Sequence, residues 1–142
     1  MTLWIDEKLA VGPMPSEDLI EDLAKTFKAV VVLLEDWELD YDIQVWSKFG
    51  LQVKHLPIPD FGTPSLADLH GLIDWIKRET EDGGAVFVHC YAGIGRSGMV
   101  AAAYLMSRGY DVDAAIEHVR ARVNGAIEVY EQEQLLRLFA KK

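Results

Sequence analysis

The stretch "AVFVHCYAGIGRSGMVAAAYLM", residues 85–106, decides the fold that the sequence predicts. Its first five residues form an apolar run rich in β-branched side chains, which is typical of a strand buried on both faces. Three glycines follow between positions 93 and 98, and the small and apolar residues of 97–109 predict a helix. A buried strand that passes through a glycine-rich turn into a helix is a unit of α/β proteins.

The rest of the chain continues this alternation of strands and helices. A length of 142 residues suits a single domain, 1–142, without linker or repeat. We therefore expect an α/β fold with a central, mostly parallel sheet flanked by helices. The predicted strands are 3–5, 8–12, 29–34, 51–58 and 85–89, and the predicted helices are 16–27, 41–49, 66–81, 97–109, 111–123 and 130–140.

Composition restricts the classes of partner. The net charge of -9 argues against a nucleic-acid or anionic-membrane surface. The N-terminal residues do not resemble a signal peptide, and no apolar run reaches the roughly 20 residues of a membrane helix. One cysteine forms no intramolecular disulfide, and no Cys/His cluster has zinc spacing. We expect a cytoplasmic monomer without metal or cofactor.

The single cysteine, Cys90, follows the predicted strand 85–89, at the edge of the sheet where ligands bind in such folds. A helix N-terminus and a curled glycine-rich backbone offer N–H groups that favour a thiolate and an oxyanion beside it. Arg96 can present a planar fork to two phosphate oxygens, and Ser97 is positioned to donate a hydrogen bond to the sulfur. A lone cysteine would more simply be a buried structural residue, but the glycine-rich loop, Arg96 and Ser97 beside it favour a nucleophile.

The segment "HCYAGIGRSG" resembles the H-C-x5-R-S/T signature of the cysteine-dependent protein tyrosine phosphatases. Two further segments, "IPDFGTPS" and "AIEVYEQEQ", resemble the acid loop and a C-terminal segment of compact, VHZ-like dual-specificity phosphatases. The resemblance implies that Cys90 attacks phosphorus and that Arg96 binds the phosphoryl group. The other substrate-binding residues would be those of the loop, Tyr91, Ala92, Gly93, Ile94 and Gly95.

The resemblance also implies roles for two carboxylates. Asp60 would be the general acid, although Pro-Asp-x-Gly is a turn signal in its own right. Glu128 would position or deprotonate the hydrolytic water, with Gln132 or Gln134 orienting that water. The simpler interpretation of the last three is a solvated helix start, and the sequence leaves open whether Asp60 or Glu128 is the dominant acid.

Other polar residues are predicted to be structural or exposed. His89 would order the loop through hydrogen bonds, and the acidic segment 35–42 would be a solvated loop and helix start.

The predicted function is hydrolysis of phosphotyrosine, and of phosphoserine or phosphothreonine in a shallow pocket, through a cysteinyl-phosphate. The loop interior contains no lysine, which argues for a singly phosphorylated protein or aryl phosphate as substrate. Ile94 and Phe61 are candidates for the apolar walls. The alternatives are a pseudophosphatase that binds phosphoproteins without turnover and a sulfurtransferase or arsenate reductase. The absence of a second cysteine disfavours a disulfide-cycling reductase.

Overall fold

The structure is a computed structural model that describes residues 2–141. Its strands are β1 (Leu3–Trp4), β2 (Leu9–Gly12), β3 (Ala29–Val32), β4 (Gln52–His55) and β5 (Val86–His89). Its helices are α1 (Glu17–Thr26), α2 (Val45–Lys48), α3 (Leu66–Glu81), α4 (Gly95–Ser107), α5 (Val112–Arg122) and α6 (Tyr130–Lys141), and Asp36–Glu38 form a 3-10 turn.

The five strands form one sheet in the order β1-β2-β5-β3-β4. All neighbours are parallel except the β1–β2 hairpin. Alternate residues of β5 enter different cores: Val86 and Val88 join the larger cluster with α3 to α6, and Phe87 joins the smaller cluster with α1 and α2. Helices thus cover both faces of the sheet, which confirms the predicted α/β class.

One predicted helix is much shorter than expected. The segment 41–49 forms only the single turn α2, because its first residues serve other contacts. The Tyr41 hydroxyl points inward to His89, at 2.7 Å from Nε2, and Asp42 Oδ1 accepts a hydrogen bond from Gln44 N. Helix α4 also begins earlier than predicted, at Gly95. No helix within residues 2–141 is long and apolar enough to cross a membrane.

The parallel strands bring three loops to one edge of the sheet. The carboxyl end of β3 leads to the 3-10 turn, that of β4 to the segment containing Asp60, and that of β5 to the segment 90–94 before α4. Because parallel strands end at the same edge, these three segments meet there. The candidate site lies where they meet.

Candidate active site

Cys90 directly follows β5, and its side chain is buried at 2% exposure. Gly93 N donates a hydrogen bond to Cys90 Sγ at 3.2 Å, so the loop curls back over the sulfur. Gly93 has a φ of 78°, and a Cβ on it would lie 2.6 Å from Pro13 N. Only glycine fits both the left-handed backbone and this close approach. A hydrogen bond from Met14 N to Tyr91 O, at 3.0 Å, braces the loop from the same side.

Arg96 lies in the first turn of α4 with its side chain 2% exposed. Its Nη1 donates to Glu38 Oε2 and to Ile58 O, and its Nη2 donates to Glu38 Oε1, each at 2.9 Å. A guanidinium has five N–H groups, so Nε–H and one Nη2–H are left over along the same edge. Parallel donors of this kind match two oxygens of a phosphate.

Glu38 is the site residue that the sequence analysis missed, because the segment 35–42 was expected to be solvated. Its side chain is only 6% exposed and makes both hydrogen bonds to one end of Arg96. Hydrogen bonds from Arg96 lower the pKa of Glu38, outweighing the opposing effect of burial. Burial is the largest single effect and disfavours the charge on Arg96, but the hydrogen bonds to Glu38 and the Coulombic attraction of Cys90, Glu38 and Asp60 together outweigh it and raise the pKa of Arg96. One available signal was the position of this acidic segment, directly after a buried strand at the ligand-binding edge.

Asp60 stands at the mouth of the site. Its Oδ1 lies 3.5 Å from Arg96 Nη2, and its side chain is 54% exposed. The turn interpretation also holds, because Gly62 N donates to Pro59 O at 2.8 Å and Phe61 N donates to Asp60 Oδ1 at 3.1 Å. Phe61 adopts a φ of 62°, which is unusual for a residue other than glycine. The turn and a catalytic role for Asp60 are therefore compatible.

Glu128 lies against the start of α4. Its carboxylate contacts Gly95 so closely that a Cβ on that residue would overlap it. The preceding residue, Ile127, has a φ of 59°. Arg120 donates hydrogen bonds to the carbonyl oxygens of Ala126 and Ile127, each at 3.0 Å. Each candidate carboxylate is therefore adjacent to a non-glycine residue in the left-handed region, where functional sites often store strain.

The thiol, the guanidinium and both carboxylates line one pocket of roughly 100 Å³. Most of the predicted binding residues are among its walls. The lining residues are Asp60, Phe61, Cys90, Tyr91, Ala92, Gly95, Arg96 and Glu128.

Several predicted residues have other surroundings. Ile94 packs its half-buried side chain against the larger core and is not among the lining residues of the pocket. Ser97 Oγ is buried without a hydrogen-bond partner among the described residues, so the expected bond to Cys90 is not formed. Gln132 does not line the pocket; its Nε2 donates to Gly62 O at 3.2 Å and ties α6 to the Asp60 loop. Gln134 is also absent from the lining.

His89 orders the loop through a buried chain of hydrogen bonds, as expected. Trp46 Nε1 donates a hydrogen bond to the Tyr41 hydroxyl at 2.8 Å. The Tyr41 hydroxyl is hydrogen-bonded to His89 Nε2 at 2.7 Å, and His89 Nδ1 is hydrogen-bonded to Cys90 O at 3.1 Å. An indole only donates and a carbonyl only accepts, so the histidine carries its proton on Nδ1 and accepts from Tyr41 at Nε2. Burial, the largest cause, lowers the pKa of His89 to about 4, and burial raises that of Tyr41 to about 12. The chain of donors is thus fixed at neutral pH.

Among residues 2–141, no group of three His, Cys, Asp or Glu side chains is arranged to hold a metal ion.

Comparisons with known proteins agree with this geometry. A family model described as "Polymorphic toxin system, DSP-PTPase phosphatase" matches residues 11–110. Cyclin-dependent kinase inhibitor 3 of Rattus norvegicus is 31% identical over 103 residues, which is 70% of this chain and 49% of that protein. Phosphatidylglycerophosphatase and protein-tyrosine phosphatase 1 of Mus musculus is 28% identical over 146 aligned positions, covering 97% of this chain and 75% of that protein. The chain thus spans about half of the first relative and three quarters of the second.

Solved structures share the whole fold. The crystal structure of Tk-PTP in the active form superposes with a TM-score of 0.97 at 41% identity, covering 99% of this chain and 97% of that one. The crystal structure of PTPMT1 superposes with a TM-score of 0.88 at 26% identity, covering 99% and 94%.

Proposed function

The chain belongs to the dual-specificity phosphatase family of the cysteine-dependent protein tyrosine phosphatases, and we propose that it hydrolyses phosphotyrosine and other aryl phosphates through a cysteinyl-phosphate. Phosphoserine and phosphothreonine are the slower substrates of the same pocket. One observation carries the proposal: Cys90, Arg96 and two carboxylates line a single pocket of roughly 100 Å³. The predicted mechanism needs a nucleophile, a phosphate clamp and an acid within one such pocket.

In the first step, the phosphoryl oxygens bind the open edge of Arg96 and the N–H groups at the start of α4, which have no partners within the helix. The Cys90 thiolate attacks phosphorus, so that an S–P bond forms as the P–O ester bond breaks. The electron pair of that bond goes to the leaving oxygen, which takes a proton from Asp60. Arg96 stabilises the charge that spreads over the equatorial oxygens.

In the second step, water attacks the cysteinyl-phosphate and releases inorganic phosphate and the thiolate. A carboxylate must take the proton from that water. We assign the water to Glu128, whose carboxylate lies against Gly95 and lines the same pocket as Cys90. Asp60 keeps the role of acid because it stands at the exposed mouth, where the leaving group departs.

The pocket walls support an aryl substrate. Phe61 and Tyr91 are each 59% exposed and both line the pocket, so their rings are available to contact a phenyl ring. Tyr91 takes the part of the wall that the sequence analysis gave to Ile94. No lysine lies between Cys90 and Arg96 to hold a second phosphate.

The test compares four substrates under one set of conditions: p-nitrophenyl phosphate, a phosphotyrosyl peptide, a phosphothreonyl peptide and phosphatidylglycerophosphate in detergent micelles. The last is included because of the name of the mouse relative. We expect the highest kcat/KM for the phosphotyrosyl peptide, and we expect Cys90→Ser to abolish turnover while retaining phosphopeptide binding.

Two outcomes would overturn the proposal. A wild-type chain that binds the phosphopeptide without hydrolysing any substrate would be a pseudophosphatase. A higher kcat/KM for phosphatidylglycerophosphate than for the peptide would make the chain a lipid phosphatase. Residual activity of Cys90→Ser above a few percent of wild type would reject the nucleophile.

A further inference from the structure

A second cleft, of roughly 380 Å³, adjoins the catalytic pocket. Trp37, Glu38, Asp60 and Tyr91 line it, and Asp60 and Tyr91 also line the catalytic pocket. A substrate whose phosphorylated side chain occupies the pocket therefore has neighbouring residues within reach of the cleft. Building on the function proposed above, we propose that this cleft binds an arginine or lysine side chain of the substrate, close in sequence to the phosphotyrosine.

Two exposed aromatic rings form the walls of the cleft. Trp37 is 78% exposed and Tyr91 is 59% exposed. Trp37 is nevertheless held in position, because its Nε1 donates to Glu35 Oε2 at 2.8 Å and the turn beneath it is closed by reciprocal hydrogen bonds between Glu35 and Glu38. A fixed ring with open faces attracts cations through its quadrupole, and tryptophan does so most strongly.

The charge of the surrounding loops selects the same kind of ligand. The lining residues Trp37, Glu38 and Asp60 belong to the segments 35–42 and 57–63, which contain no Lys or Arg. Besides Asp60, which is protonated when it acts as the acid, these segments contain the acidic residues Glu35, Asp36, Glu38, Asp40 and Asp42. Arg96, which contacts the lining residues Glu38 and Asp60, is 2% exposed and bound to Glu38. The field over the cleft is therefore negative, and it attracts a cationic side chain and repels an acidic one.

The size of the expected preference follows from these contacts. Glu38 already pairs with Arg96, and Asp60 is protonated when it acts as an acid, so a guest cation forms no full ion pair with either. The cation is instead stabilised by the faces of the aromatic rings and by the negative field of the surrounding carboxylates. At an exposed site this stabilisation corresponds to about a fivefold increase in kcat/KM. Arginine should exceed lysine, because its planar group stacks on aromatic rings.

An apolar substrate residue is the competing occupant. It would contact the same two rings but would gain nothing from the carboxylates, and salt would not affect its binding. The two occupants are therefore separable by charge and by ionic strength.

The experiment uses a set of phosphotyrosyl peptides that differ at one position at a time. The varied position is one of the three residues on either side of the phosphotyrosine, and it carries Arg, Gln, Leu or Glu. In at least one position we expect kcat/KM to be about fivefold higher for Arg than for Gln or Leu and lowest for Glu. Raising the ionic strength from about 0.05 M to about 0.5 M should reduce the preference.

Variants then locate the preference. In Trp37→Leu the Arg/Gln ratio should fall to near one, and in Trp37→Phe, which keeps a ring, most of the ratio should return. Tyr130→Leu removes an aromatic residue that is similarly exposed but lies outside the cleft, and it should keep the wild-type ratio. The ratio is measured within each variant, so a general loss of activity cancels.

An Arg/Gln ratio below about twofold at every position, an equal preference for Leu, or a preference that persists in Trp37→Leu would overturn the inference. Hydrolysis of p-nitrophenyl phosphate is the separate readout. If that activity is present without an Arg preference, only the role of the cleft fails, whereas its absence would mean that the proposed function has failed.

Discussion

Acidification should weaken the fold through His89. The buried imidazole has a pKa of about 4, whereas an unfolded chain titrates near its ordinary value of about 6.5. The unfolded state therefore takes up the proton first as the pH falls. The contribution of His89 is complete above pH 6.5 and is lost progressively down to about pH 4, where the loss amounts to about 3 kcal/mol.

The assay is urea unfolding followed by circular dichroism at a series of pH values, for the wild type and for His89→Gln. Carboxylates titrate in both proteins, so their contribution cancels in the difference. The variant should be less stable at pH 7, and the gap between the two proteins should narrow by about 3 kcal/mol as the pH approaches 4. NMR of the wild-type imidazole gives a second readout that does not depend on the variant folding.

A constant gap between the two proteins across this pH range would refute the reasoning. An imidazole signal that titrates near 6.5 in the folded protein would do the same. Either result would mean that the histidine is not held neutral by burial, and that the direction of the hydrogen bonds from Tyr41 to Cys90 is not fixed at neutral pH.

Three further predictions concern individual side chains. Asp60→Asn should slow aryl phosphates with poor leaving groups by on the order of 10² and activated ones much less, as measured by kcat/KM against leaving-group pKa, whereas Glu128→Gln should give a burst followed by slow turnover. Glu38→Ala should lower the free energy of unfolding by about 3–5 kcal/mol, because it leaves the buried Arg96 without its partner. Tyr41→Phe should cost about 2–4 kcal/mol in the same urea assay, because an indole N–H and an imidazole nitrogen both lose a buried partner.

Matched variants test the specificity of these effects. Asp36→Ala removes an exposed carboxylate from the same turn as Glu38 without touching Arg96 or the hydrogen bonds between Glu35 and Glu38, and should cost much less. Tyr110→Phe removes the hydroxyl of a more exposed tyrosine and should be nearly neutral. The assignment of the acid would be reversed if Asp60→Asn were silent and Glu128→Gln showed the dependence on the leaving group.

The features that the sequence predicted well are those that depend on local patterns. Helix α3 has the predicted bounds because Ser65 caps it, accepting a hydrogen bond from Asp68 N at 3.0 Å, and a Gly-Gly pair follows its end. The loop from Cys90 to Arg96 was recognisable because strand, glycines and helix are contiguous.

The features that escaped prediction depend on contacts between distant parts of the chain. Glu38 lies in an acidic segment of the kind that is usually solvated, and only its pairing with Arg96, 58 positions away, explains its burial. The predicted helix at 41–49 lost its first turn because Tyr41 reaches His89, 48 positions away. Neither partner could be identified from periodicity or from local charge.

The half-used guanidinium of Arg96 has a consequence for how the enzyme would behave in a cell. Glu38 and Ile58 hold one end of the group rigid, so the open edge is already shaped for a tetrahedral anion before any substrate arrives. In the proposed mechanism that edge binds the phosphoryl oxygens, which the released inorganic phosphate also carries. The product therefore competes with the substrate for the same two donors, and the phosphate concentration of the surroundings would set how much of the enzyme is vacant.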